Sequence, residues 1–331
     1  MSNRMIKTRI LLLATALLIF ESCSQKKGKV DLVEQNASSS VDAQQNDGPA
    51  DTILIKSHLT ALTKTTSFRT HSDVAQLDQT AEYIRSNLAR YTPAIVVQEY
   101  SAAGQHYKNI VASFGVNNSR RIIIGAHYDV YGQQQGADDN ASGVAGILEL
   151  ARMLSGKELK YRIDLVAFSL EEPPHFRTES MGSYVHAKSL ADEGASVYGM
   201  ISLEMIGYFS DERNSQSYPE GIPPQLFGDK GDYIALVTKT GAGAFTQKFC
   251  SAFKHAGTVK SNQYKGPTSL PGIDFSDHMN YWEFDFDAMM ITDTSFYRNK
   301  NYHSATDTMD TLDLKRMGKV IDGIYEALLI I

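Results

Sequence analysis

Arg121-Ile122-Ile123-Ile124-Gly125-Ala126-His127-Tyr128-Asp129 decides the fold. The run is apolar at consecutive positions, so both faces of the strand it predicts are buried, as in a parallel sheet covered on both sides. It stops abruptly at a histidine and an aspartate. Arg162 to Leu170 repeats the pattern and ends in Glu171-Glu172, and Gly199 to Met205 repeats it around Glu204. Between these runs, Ser142 to Leu154 and Met181 to Ala191 carry apolar residues at helical spacing. Strands alternating with helices of ten to fifteen residues specify an α/β fold, a three-layer α/β/α sandwich with a mostly parallel central sheet. Outward from this centre, two helices precede it (Ile53 to Leu62, Val74 to Leu88), then short β-rich runs at Val96 to Tyr100 and Tyr107 to Phe114. After it come a strand at Ile234 to Thr238, a helix from Gly243 to His255, a strand at Ala288 to Thr292 and a terminal helix from Leu312 to Ile330. Phe209 to Asp232, rich in Ser, Asn, Pro and Gly, is a loop long enough to form a functional rim.

The 331 residues are 42% hydrophobic and 21% charged, which excludes a disordered or polytopic membrane chain. The net charge of −6, with no Lys/Arg run longer than a pair, argues against nucleic acid as a partner. Arg4, Lys7 and Arg9 followed by the apolar run Ile10 to Phe20 predict a secretion signal, too short to span a bilayer. Cys23 directly after it, preceded by a small residue, resembles a lipoprotein cleavage box; a plain secretory peptide with an incidental cysteine is the alternative. The expected organisation is a signal peptide over 1–22, a polar linker over 23–50 and a catalytic domain over 51–331. Lipidation of Cys23 would tether the exported protein to a membrane of the bacterial cell envelope, facing the periplasm or the cell surface. Cys250 is then the one thiol left, so no intramolecular disulfide is expected.

Ligands of open α/β sheets sit beyond the carboxyl ends of the strands. There the sequence places His127 and Asp129, the block Gly136 to Gly143 with Asp138-Asp139, Glu171-Glu172, Glu204, and Tyr302-His303 after the last strand. Imidazoles mixed with carboxylates suit a pair of zinc ions with a bridging carboxylate, plus one further acid to take a proton from water. In this reading His127 and Glu204 hold one ion, Glu172 and His303 the other, Asp138 bridges, and Glu171 is the base. Asp129 is placed to accept the second ring N–H of His127. Asp139 shapes the backbone beside Asp138.

Gly125-Ala126-His127-Tyr128-Asp129, the Gly136 to Gly143 block, Glu171-Glu172, Ser276-Asp277-His278 and Tyr302 to Thr308 together resemble the co-catalytic di-zinc exopeptidases of the aminopeptidase Y and bacterial leucyl aminopeptidase type. The resemblance runs from Leu59 to Ile331 in that family's motif order. It implies a zinc aminopeptidase-like fold, two zinc ions per chain, a peptide substrate with a free N-terminus, and His127, Asp138, Glu172, Glu204 and His303 as ligands. It further implies Glu171 as general base and Tyr302 as a group that steadies the tetrahedral intermediate. By the same resemblance Asp277 and His278 belong to the rim or to the layer behind the ligands, His278 toward substrate; a helix cap explains Asp277 as well. Glu204 departs from the usual Asp by one methylene. The segment Pro173 to Ser180 is longer than usual and is expected to wall the substrate pocket; its Arg177 is either a solvated loop arginine or a contact to a substrate carboxylate, which would fit a carboxypeptidase or dipeptidase. A glutaminyl cyclase-like acyltransferase is the competing activity on this scaffold, although such enzymes usually carry Trp where this chain has Tyr302.

Overall fold

The computed structural model describes residues 49–220 and 222–331. The expected signal peptide, Cys23 and all but the last two residues of the expected linker lie outside the described residues. Among the described residues no helix is long and apolar enough to cross a membrane.

The chain runs α1 (Thr52–Thr63), α2 (Val74–Leu88), β1 (Ile95–Ala102), β2 (Gln105–Phe114), β3 (Arg121–His127), α3 (Gly143–Leu154), β4 (Arg162–Phe168), α4 (Gly182–Asp192) and β5 (Val197–Glu204). It continues with β6 (Ile234–Lys239), α5 (Ala244–Ala256), β7 (Ser261–Gly266), α6 (His278–Glu283), β8 (Ala288–Thr292) and α7 (Leu314–Ile330). One sheet orders its strands β1-β2-β4-β3-β5-β8-β6-β7. β4, β3, β5 and β8 form a parallel centre, β1 and β2 attach antiparallel on one side, and β6 lies antiparallel to β8 with β7 parallel beyond it. The sheet is therefore mixed, with its parallel pairings concentrated where the apolar runs are.

Ile122, Ile124 and Leu165 lie in the larger core with α1, α2, α3, α5 and α7, whereas Ile123 and Val166 face a second apolar cluster with α4 and α6. Burial on both faces is what the unbroken apolar runs require. α3 can approach the strand ends only because position 143 is glycine: a Cβ there would stand 2.5 Å from both the Leu203 carbonyl and Asn140 Oδ1. Behind it, the buried pair Glu149–Arg152 receives the start of the described chain, accepting from the Asp51 amide (2.6 Å) and donating to the Pro49 carbonyl (3.1 Å).

Candidate metal centre and substrate cavity

The parallel centre delivers its polar residues to one end of the sheet. His127 closes β3, Glu204 closes β5, Glu171 and Glu172 follow β4, and the segment after β8 returns His303. Around His127 Nε2 stand Glu204 Oε2 at 3.3 Å, Asp139 Oδ1 at 3.4 Å and Glu171 Oε2 at 3.9 Å. His303 Nε2 faces Asp139 Oδ2 and Glu172 Oε2, each at 3.2 Å. Asp139 thus presents one oxygen to each histidine.

It is Asp139, and not the Asp138 expected to bridge, that lies between the two histidines. The two acids stand in a wide turn, residues 137–142, in which Asp139 and Asn140 depart from helical dihedrals (φ/ψ −102/90 and −132/40). The departure turns Asp138 away from the histidines. Its carboxyl accepts from the Gly207 amide (3.0 Å) and Asn299 Nδ2 (2.7 Å), and burial followed by the Asp293 carboxylate raises its pKa well above the usual range. Asp307, to which the sequence reading gave no role, accepts from the amides of both Asp138 (2.9 Å) and Asp139 (3.0 Å) and so fixes which acid faces inward.

Other supports are equally specific. Asp129 lies 3.5 Å from His127 Nδ1, and its two oxygens accept from the amides of Glu171 (3.1 Å) and Glu172 (3.0 Å), which ties the end of β3 to that of β4. Ser276 donates to Glu204 Oε2 at 2.8 Å and meets Ser202 at the same distance, a hydroxyl chain that steadies the longer acid. Leu170, Met205 and His303 sit at φ of 61°, 51° and 54°, a left-handed conformation costly for such residues, beside or at the clustered groups.

The donor set fits divalent metal. His127 Nε2, Asp139 Oδ2, Glu172 Oε1 and His303 Nε2 are buried and make no hydrogen bond, a costly condition unless something else satisfies them. His127–Asp139–Glu204 and Asp139–Glu172–His303 are two ligand groups that share Asp139, and His127–Glu171–Glu172 is a third. Burial lowers and the Asp139 and Glu172 carboxylates raise the His303 pKa, to about 10; Glu172 is pushed up to about 8 by burial and then by Asp139. Glutamates that bind protons more readily than usual, beside imidazoles that do the same, mark a site lacking counter-charge, which a dication supplies. Imidazole nitrogen and carboxylate oxygen are zinc ligands.

A cavity of about 1060 Å³, counted to its open mouth, ends on Asp139, Glu171, Glu172, Glu204 and His303. Its walls are otherwise largely apolar, with Tyr218, Ile222, Val237, Tyr264, Leu270 and Met290 among them, and no Lys or Arg lines it. Pro173 and Phe176 bring the long segment after the paired glutamates to the wall, as expected. Arg177 is not turned to the cavity: it pairs with Asp274 at 2.8 Å over the rings of Phe176 and Phe275. His278 does not reach the substrate space either; it is fully buried, pairs through Nε2 with the Ile273 carbonyl (2.7 Å), and burial holds its pKa down at about 4. Asp277 precedes α6 without capping it, and its buried carboxylate makes no hydrogen bond. Tyr302 lines the cavity and stacks on His303 at 3.7 Å and 17°. The 209–232 loop forms the far wall and is fastened to the His303 segment: the buried Arg298 donates to Gln216 Oε1 (2.8 Å) and the Tyr208 carbonyl (3.2 Å), and the Ser217 amide to the Tyr297 carbonyl (2.8 Å).

A mixed sheet that gathers two imidazoles and four carboxylates at the ends of its parallel strands is the arrangement of the zinc exopeptidases. Residues 109–328 match peptidase family M28, and the chain belongs to that family of metallo-exopeptidases. It is 43% identical over 275 residues to the uncharacterized protein YfbL of Escherichia coli K12, covering 81% of this chain and 84% of that one. To the probable lipoprotein aminopeptidase LpqL of Mycobacterium tuberculosis it is 24% identical over 239 residues, 66% of this chain and 44% of that one; the chain spans about half the length of the named aminopeptidases it matches. Among solved structures, the LapA aminopeptidase of Legionella pneumophila superposes with a TM-score of 0.67 at 20% identity, covering 92% of this chain and 77% of that one. The glutaminyl cyclase of Tannerella forsythia superposes with 0.64 at 20% identity, covering 85% and 99%. These identities define a shared fold.

Proposed function

We propose that this protein is a zinc aminopeptidase that removes N-terminal residues from peptides, using two ions. The observation that carries the reading is the cavity: it ends on four carboxylates and no Lys or Arg lines it. The acids offer acceptors to a free α-amine, and no Lys or Arg stands in the lining to read a C-terminal carboxylate, since Arg177 is held by Asp274. Four carboxylates with two neutral imidazoles carry four negative charges, the complement of two divalent ions.

His127, Asp139 and Glu204 would hold one ion, and Asp139, Glu172 and His303 the other. When bound, zinc polarises the scissile carbonyl and makes water acidic enough to attack at neutral pH. Glu171 stands among the ligand atoms and is the acid that takes the proton of the attacking water and returns it to the leaving amine. Its carboxyl binds a proton more readily than an ordinary glutamate because it is buried and flanked by Glu172 and Glu204, against the opposing pull of His127. Tyr302 keeps its phenolic proton, because burial and the nearby acids raise its pKa, and so offers a donor to the developing oxyanion. Tyr218, Ile222 and Leu270 suit an apolar side chain beside the scissile bond.

The N-terminal pattern, together with the similarity to LpqL, a probable lipoprotein aminopeptidase, supports an exported protein anchored through Cys23 to the cell envelope. The enzymatic reading is tested with aminoacyl anilides, their N-acetylated counterparts and a peptide beginning with glutamine. Hydrolysis of the free anilides alone is expected, while cyclisation of the glutamine peptide without anilide hydrolysis would replace the aminopeptidase by a cyclase.

A further inference from the structure

We propose that Tyr131 is a positioning residue for the ion at Asp139, Glu172 and His303, acting by clamping the His303 ring against Tyr302. The inference rests on the two-ion reading above. A ligating imidazole normally donates from its far nitrogen to a carboxylate or carbonyl, and that bond fixes the ring. His127 has Asp129 in this place, 3.5 Å from Nδ1. His303 has no equivalent: its partners Asp139 and Glu172 both lie on the Nε2 side, and nothing among the described residues accepts from Nδ1. It also stands in a segment outside regular helix or strand, at φ 54°, so the backbone lends it little support.

The ring is held by its faces instead. Tyr302 stacks on it with centroids 3.7 Å apart and planes at 17°, and Tyr131 stacks at 4.3 Å and 14°. Two rings nearly parallel to a third at these separations, and making no ring contact with each other, lie on its opposite faces. Tyr131 stays 43% exposed, so burial alone does not account for its position, and its hydroxyl makes no hydrogen bond among the described residues. The aromatic face is therefore the working part. Because Tyr131 follows β3 four residues after His127, the clamp also joins the segment bearing one histidine to the segment bearing the other.

The test compares the full-length wild type with Tyr131→Ala, Tyr131→Leu and Tyr131→Phe in a chelator titration that counts bound zinc. Alanine and leucine are expected to release one of two ions at roughly 10- to 100-fold lower chelator concentration, the size of effect that loss of outer support has on a metal ligand. Phenylalanine is expected to match the wild type and the second ion to stay. Wild-type zinc retention in Tyr131→Ala overturns the clamp, as does a raised KM with unchanged zinc, which would make Tyr131 a substrate contact. Loss in Tyr131→Phe equal to that in Tyr131→Ala overturns it too, by assigning the work to the hydroxyl. A wild type that binds no zinc defeats the two-ion reading and the clamp together, whereas absent anilide hydrolysis with this zinc pattern intact defeats the aminopeptidase reading alone.

Discussion

Two adjacent aspartates with opposite surroundings allow a test at the scale of single residues. Asp138 accepts two hydrogen bonds, faces away from both histidines, and its burial beside Asp293 favours the neutral form, so Asp138→Asn is expected to keep its zinc. Asp139→Asn removes charge between the two histidines and is expected to lose at least one ion, measured as metal per chain after dialysis. Equal retention in both variants would sink the assignment of the bridge. Glu171→Gln should hold wild-type zinc while kcat falls roughly 10²- to 10⁴-fold, the usual contribution of a general acid–base group; a comparable loss of metal would make Glu171 a ligand. The sequence shows that an acid is needed after Ala137, but only one of two neighbours can face the histidines. Which one depends on the dihedral break at Asp139 and on Asp307, 168 residues away, and neither is visible in local spacing.

Among the elements, the strands with apolar residues on both faces were legible because burial on two sides leaves a continuous signature: β3, β4, β5 and β8 stand where the runs predict them. β7 was not, since Ser261–Gly266 is a polar edge strand with only Tyr264 and Gly266 buried. The six-residue α6 is too short to display a period. The antiparallel pairing of β6 with β8 is likewise a matter of chain path between β5 and β6 and leaves no local mark. The turn over 137–142 depends on Asp307 as its clasp. Asp307→Ala would leave two buried amides unpaired, at about 1–3 kcal/mol each, and should reduce zinc affinity along with stability. Denaturant unfolding in parallel with zinc titration checks this; an unchanged midpoint would show that the turn holds its shape unaided.

For the whole molecule, acid stability should be set in part by buried histidines remote from the clustered acids. Burial holds His58, where Arg90 adds to the effect, and His186 at about 4. Unfolded, each titrates near 6.5. Between those values the unfolded chain binds protons that the native chain does not, so stability is complete above pH 6.5 and falls as pH falls toward 4, by up to about 3 kcal/mol per histidine. His186 also meets the Tyr281 hydroxyl at 2.6 Å. His186→Asn is therefore expected to lower Tm at neutral pH yet flatten its decline between pH 6.5 and 4, and an unchanged slope would exclude His186 as a contributor. The fastening of the 209–232 loop to the His303 segment through Arg298 bears on how such an enzyme can diversify. Lengthening or shortening that loop would drag His303 with it, so new substrate preferences are accessible by exchanging inward-facing side chains such as Tyr218 and Ile222 on a fixed backbone, and insertions there would be selected against.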